Sequence, residues 1–333
     1  MKICLSTARK PYELEIREDR PEPPAAGEIQ VRMEASCINF HDFGVVSGRK
    51  RIRDGLVPLT DGAGIVEAIG EGVNEFAIGD RVISLFFPQW AAGPPTMRAL
   101  YGVPGDQVDG FAATHVTKPA TAFTRAPDGL TPIEAATLPC AALTAWRALF
   151  VEARLRPGDW VVTQGTGGVS IFALQLAKAA GARVICTTSS AQKADRLTAL
   201  GAEAVLNYRE DPKWGKAVVG LTGGQGADIV VEVGGGGTLA QSVLCCRVGG
   251  TIPVIGVLTG TEGNIPVAAL LARNIRLAGL SVGSRADQNR MVAALEATAL
   301  RPVVDRVFAL RDIAEAFRYH EEGRHFGKIC LEH

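Results

Sequence analysis

Apolar and polar positions follow two different rhythms along the chain. From Trp160 onward, short β-branched apolar runs alternate with segments of helical spacing. Trp160–Thr163, Arg183–Thr188, Ala204–Tyr208, Asp228–Val233, Thr251–Val257 and Ile275–Val282 read as strands. The run from Val169 to Gly181, then Ala191–Leu200, Trp214–Leu221 and Thr238–Cys246, reads as helices. Six strands with helical crossovers predict a doubly wound parallel sheet. The region before residue 124 has another pattern: "EIQVRMEAS", "AGIVEAIGEGV" and "DRVISLF" are short alternating segments parted by Gly, Pro and Asp, as in a compact β-rich domain. Pro132–Phe150 reads as one linking helix. After Ser284 come a helix, "VVDRVFAL", another helix and a closing strand "GKICL". That tail is too short for its own core and is expected to rejoin the first domain. The fold class is α/β, with one domain at 1–124 plus 284–333 and the other at 125–283.

The stretch "VVTQGTGGVS" joins a strand to a helix through glycines. Gly165, Gly167 and Gly168 let the main chain come close to a ligand. The helix that starts at once offers free N–H groups and the positive end of its dipole, which suits a pyrophosphate. Gly165-x-Gly167-x-x-Ser170 is the dinucleotide fingerprint with a small serine for the third glycine. Gly165, Gly167, Gly168 and Val169 are therefore candidate cofactor contacts.

A length of 333 residues favours two domains, and 47% hydrophobic residues suffice for two cores. A formal net charge of zero without basic runs argues against a nucleic-acid surface. Seven scattered cysteines without a C-x-x-C pair fit free thiols in a reducing cytosol. The start "MKICLSTARKPYELEIRED" turns charged too early for a signal peptide, and no apolar run reaches membrane-span length. A cytoplasmic protein with a small-molecule substrate, no nucleic acid and no membrane partner is expected.

The ordered markers "GEIQVRMEASCINFHDF", "DGAGIVEAIGEGVNEFAIGDRV", "AATLPCAALTAW", "GTGGVS", "LGAEAVLNYRE", "GGTIPVIG" and "GKICL" span nearly the whole chain. Together they resemble the medium-chain dehydrogenase/reductase superfamily, most closely its zinc-independent quinone-oxidoreductase-like and alcohol-dehydrogenase-like reductases. The resemblance implies a GroES-like catalytic domain beside a Rossmann domain, a homodimer, and hydride transfer from NADPH to a quinone, an enone or a related acceptor. Zinc-free alcohol oxidation and non-catalytic NADPH binding stay open beside it. Zinc-containing members hold a catalytic metal with Cys, His and Cys. The corresponding positions here read Asn39, Thr60 and Cys140, and residues 86–110 lack the cysteines of a structural zinc lobe. No metal is expected.

The resemblance also distributes roles. Asn39, His41 and Asp42 are the candidate catalytic set. Asn39 is read as a donor to cofactor or substrate carbonyl, or as a polar turn residue. His41 is a proton donor, or a surface or ion-paired histidine beside Asp42, and for Asp42 and Asp61 an interior pairing role is favoured. Phe86 (with Phe87), Trp90 and Cys140 are candidate pocket residues, the aromatics alternatively being plain core. Thr144 is expected at the nicotinamide, and backbone groups of Gly256, Val257, Val282 and Ser284 at the carboxamide. Lys328 is read as a phosphate contact or a solvated lysine. The second Rossmann strand ends in Thr188, and no acid follows until Asp195. An NAD enzyme usually has a carboxylate there for the ribose hydroxyls. Its absence, with Ser189, Ser190, Lys193 and Tyr208 nearby, predicts NADP(H) in preference to NAD(H).

Overall fold

The computed structural model describes residues 1–333, which divide into two compact units, Met1–Leu143 with Val282–His333, and Thr144–Ser281. Along the first unit run β1 (Lys2–Ser6), β2 (Glu13–Arg17), β3 (Glu28–Ile38), β4 (Asp61–Ile69), β5 (Arg81–Ser84), β6 (His115–Pro119) and β7 (Phe123–Arg125). The second unit holds β8 (Trp160–Gln164), β9 (Arg183–Thr188), β10 (Ala204–Asn207), β11 (Ala227–Val231), β12 (Cys246–Val254) and β13 (Arg276–Gly279). The chain then returns to the first unit with β14 (Val304–Ala309) and β15 (Lys328–Glu332).

β3 shows why the first unit is β-rich. Ile29, Val31, Met33 and Ala35 are buried while the alternating Gln30, Arg32 and Glu34 are only half-buried, the period of a sheet with one covered face. The larger sheet runs β14-β15-β3-β4-β5-β7, and β6 also pairs with β3. β15 lies antiparallel on β3, with Ile329 opposite Ile38 and Cys330 opposite Cys37. The tail thus returns to the first unit. Its Leu310, Ile313 and Phe317 enter the same core as Ile29, Val31 and Phe111.

The second unit is a six-stranded sheet of order β10-β9-β8-β11-β12-β13, every pair parallel. Val162, Ile185, Val230 and Ile252 come from four neighbouring strands and are fully buried between the helical layers. This is the doubly wound order, and its switch point lies between β8 and β11, from which the order runs outward in opposite directions.

The boundaries differ from the expected 124 and 284. The helix Pro132–Ala135 lies against β3, β4 and β15, which keeps the stretch to Leu143 with the first unit. Nor is Pro132–Phe150 one regular helix. It alternates short α-helical pieces with π-helical turns at Leu138–Ala142 and Arg147–Glu152. Such turns concentrate at functional sites, and Cys140 sits in the first. A short helix at Val267–Ala272, absent from the sequence reading, follows β12. No helix is long and apolar enough to cross a membrane.

Candidate active site

In the second unit the predicted nucleotide residues converge on the carboxyl ends of the strands. Gly165 has φ +70°, and a Cβ placed on Gly165 or Gly167 would meet nothing within 4 Å. The turn is therefore open on the side a ligand would take. Gly167 caps the helix Gly168–Ala179, whose first turn carries Val169. Ser170, the departure from the third glycine, is buried and its hydroxyl donates to the Gln164 carbonyl at 2.6 Å. That bond ties the helix to β8, the service the missing glycine performs by close packing.

Thr188 ends β9 and is buried, and its hydroxyl accepts from the Ser190 amide at 3.3 Å. Ser190 in turn caps the helix Ala191–Ala199, accepting from the Lys193 amide at 3.3 Å. Tyr208 follows β10 directly; its amide donates to the Thr188 carbonyl at 3.0 Å and its side chain is exposed. Thr188, Ser189, Ser190, Lys193 and Tyr208 thus surround the ends of two adjacent strands. Exposed Arg209 shares that turn and adds a cation that the sequence reading passed over.

Val257 is half exposed beyond β12, and Gly256 donates its amide to Glu232. Val282 carries φ +44°, costly for a β-branched residue. Strain of this kind gathers at functional sites. Ser284 is a correction. It is buried and caps the helix Arg285–Thr298, its hydroxyl and amide both bonded to Asp287 and its carbonyl to the Gln288 amide. Its amide and hydroxyl protons are thus both committed to the cap. Thr144 is buried at the start of the second unit.

The first unit encloses a buried polar cluster. Asn39 precedes the helix Phe40–Val46, and its amide is capped by an Asp42 carboxylate oxygen at 2.8 Å. The other Asp42 oxygen accepts from the Thr60 amide at 3.0 Å. Asn39 Nδ2 donates to the Thr60 hydroxyl at 3.0 Å, and that hydroxyl lies 3.2 Å from Asp61. The second Asp61 oxygen accepts the Cys140 amide at 3.3 Å. Leu59, just before Thr60, is fully buried at φ +77°.

Lys328 is the second correction. Only 4% exposed, it donates to the Ile38 carbonyl at 2.8 Å and to Asn39 Oδ1 at 2.5 Å. It is neither a solvated lysine nor one extended to a phosphate. Burial alone would depress this ammonium, but the acids around it, Cys37 and Asp61 first, hold it above the usual lysine value. Burial pushes Asp61 up to about 7 against the pull of Lys328, and raises Asp42 against the pull of His41 and the hydrogen bond from Asn39. The Cys140 thiol is pushed well above its ordinary value by burial and by Asp61. Asp42 thus caps the helix with one oxygen and holds the Thr60 amide with the other, the interior pairing role favoured for it.

His41 does not pair with Asp42. Its Nε2 lies 3.2 Å from Asp106, which also binds Lys50, and its ring meets Phe86 edge-on at 5.2 Å. Phe86 meets Phe87 edge to face, and Phe87 approaches Trp90. All three aromatics are nearly buried, and Trp90 Nε1 donates to the Gly93 carbonyl at 2.9 Å. The aromatic loop is thus packed and anchored.

A doubly wound sheet with an open glycine turn, joined in sequence to a β-rich unit enclosing a polar cluster, defines a class of dinucleotide-dependent oxidoreductases. Residues 25–128 match the alcohol dehydrogenase GroES-like domain, and residues 168–297 match the zinc-binding dehydrogenase domain. A zinc-type alcohol dehydrogenase-like protein of Schizosaccharomyces pombe is 40% identical, over 97% of this chain and 94% of that protein. A solved structure described as an NAD-dependent alcohol dehydrogenase is 34% identical with TM-score 0.90, covering 100% of both chains. A mycobacterial protein solved with NADPH is 27% identical with TM-score 0.83, again over 100% of both. The chain belongs to the medium-chain dehydrogenase/reductase superfamily and is an alcohol-dehydrogenase-like oxidoreductase.

Proposed function

We propose that this protein is a zinc-independent, NADPH-dependent oxidoreductase that delivers hydride to a quinone, an enone or another carbonyl-conjugated acceptor. The observation that carries the zinc-independent part is the Lys328 ammonium bonded to Asn39. The positions where zinc members place a thiolate and an imidazole hold an amide and a hydroxyl bonded to each other. A zinc ion here would face the repulsion of a buried cation, and its one sulfur, Cys140, is held protonated by burial. The donor set does not fit the metal. Elemental analysis of the purified protein is expected to give no stoichiometric zinc; zinc whose removal abolishes activity would overturn this.

For the nucleotide the residues fit. Bound NADPH supplies the hydride. Gly165, Gly167, Gly168 and Val169 take the pyrophosphate at the helix N-terminus. Ser189 and Ser190 donate to the 2′-phosphate, Lys193 adds charge, and Tyr208 flanks it. Thr144, Gly256, Val257 and the strained Val282 serve the nicotinamide end. The Asn39 amide, polarised by Lys328, is the donor for charge developing on the acceptor carbonyl. Solvent protonates the neighbouring carbon. The aromatics Phe86 and Trp90 bound the acceptor's size, and the working form is a cytoplasmic homodimer.

The test is oxidation of NADPH with a panel of enones, quinones and aldehydes. Turnover is expected with conjugated acceptors. The NAD-dependent relative favours a second reading, zinc-free alcohol oxidation, which predicts NAD reduction by alcohols instead. Tight NADPH binding with no turnover on any substrate would make the protein a non-catalytic nucleotide binder.

A further inference from the structure

A charged residue, Glu232, interrupts the apolar run "IVVEV" (Ile229 to Val233). Glu232, just beyond β11, is fully buried, and its partners are neutral dipoles. One carboxylate oxygen accepts from the Gly234 amide at 2.8 Å, the Gly235 amide at 2.9 Å and the Thr238 hydroxyl at 2.6 Å. The other accepts from Gln164 Nε2 at 2.8 Å and from the Ser242 hydroxyl. Five donors from the end of β8, the loop after β11 and the helix Leu239–Cys245 meet on one side chain. A carboxylate so placed costs much to bury and is stable only while the whole set is in register.

Gln164 completes the link. Its Oε1 accepts from the Val233 and Gly234 amides, each at 3.2 Å, so its side chain bridges β8 and β11. Its own carbonyl holds Ser170 of the first helical turn, and the next residue is Gly165 of the open turn. A continuous bonded path therefore runs from Glu232 to both ends of the glycine turn, across the switch point where doubly wound sheets bind their ligands. A purely structural buried acid has no need of a partner at that turn.

We propose that Glu232, acting through Gln164, is a positioning residue for the nucleotide. It fixes the separation and orientation of the glycine turn against the loop after β11, and through them the cradle for the dinucleotide. The proposal rests on the nucleotide-binding reading given above. It makes Glu232 neither a ligand nor a catalytic residue. Its exchange is felt in affinity because a displaced turn no longer presents its amides to the pyrophosphate.

The test is fluorescence titration with NADPH, paired with thermal melting. Glu232→Gln turns one acceptor into a donor facing Gln164, and NADPH is expected to dissociate about tenfold more readily. Ser242→Ala removes one donor and keeps the packing, and is expected to give a smaller loss. The exchange Glu232→Gln with Gln164→Glu restores a donor to every acceptor, and affinity is expected to return to within about threefold of the wild type. Val218→Ala, in the core of the same unit, is the stability control and is expected to lower the melting point without changing affinity. Unchanged affinity in Glu232→Gln, or affinity that tracks the melting point across all variants including Val218→Ala, would overturn the proposal. If Glu232→Gln does not fold, the graded loss in Ser242→Ala decides, and normal affinity there would count against it. A wild type that binds neither NADPH nor NADH would instead overturn the nucleotide reading, and this proposal with it.

Discussion

Two glycine-rich turns leave the same edge of the Rossmann sheet and have opposite surroundings. At Gly165 and Gly167 an added Cβ finds empty space. In the run Gly234–Gly237 it finds protein on every side: 1.9 Å from the Glu262 carbonyl at Gly236, and 2.7 Å from the Gly260 carbonyl at Gly235. The first turn is small so that something outside the chain can approach. The second is small because the loop after β12 already has, with Gly236 bonded to the Gly260 carbonyl and Thr259 bonded to the Gly234 carbonyl. Glycine content alone does not mark a ligand site: the second run is glycine because protein fills the space, and the first leaves its space open at the N-terminus of a helix.

Four substitutions sharpen that contrast, in falling order of effect. Gly236→Ala drives a methyl into backbone that cannot yield. Overpacking against main chain is expected to lower the melting point by more than about 10 °C or to leave the protein insoluble. A soluble variant melting like the wild type would show the second turn to be loose. Gly167→Ala meets no atom, so its melting point is expected within about 2 °C of the wild type. On the proposed reading the methyl enters the space meant for the pyrophosphate, and NADPH affinity is expected to fall roughly a hundredfold, about 2.7 kcal/mol. Calorimetric titration checks this, and full affinity would remove the turn from the binding site.

Lys193→Ala tests which nucleotide the open turn serves. A charge-assisted contact to the 2′-phosphate is worth about 1.5–3 kcal/mol, so NADPH binding is expected to weaken about ten- to a hundredfold with NADH unchanged. Equal dissociation constants for both nucleotides in the wild type would refute the NADP preference. Gly165→Ala has the mildest outcome. Its space is open, but φ +70° costs a side chain about 1 kcal/mol, and the melting point is expected to drop by about 2 °C.

Much of this was legible in the sequence. The six strands, the order of the halves and the return of the tail follow from apolar periodicity and turn residues, which local physics dictates. What escaped depends on partners far along the chain. Nothing near Lys328 tells that its ammonium meets Ile38 and Asn39, 290 and 289 residues away. Two local signals were present but read for another purpose. Ser284-x-x-Asp287 has the spacing of a capping box, and so has Asn39-x-x-Asp42, in which the acid caps a helix. Glu232 was visible as a carboxylate inside a strand pattern. Such a residue must find buried donors, though the sequence does not say which. The irregular stretch after Pro132 keeps helical periodicity while its hydrogen bonds shift to π spacing, a change that residue pattern does not record.

The pairing of β15 with β3 has a consequence for synthesis. The whole of Thr144–Ser281 lies between these two strands in the chain. On the ribosome the Rossmann sheet, made of successive local crossovers, can close as soon as β13 has emerged. The unit that contains β3 cannot, because β3 waits for a partner translated after the whole Rossmann sheet, and Asn39 waits for its lysine. The exposed β3 edge is the segment of the nascent chain most in need of a chaperone, and slowing elongation late in the message should lower yield more than slowing it early.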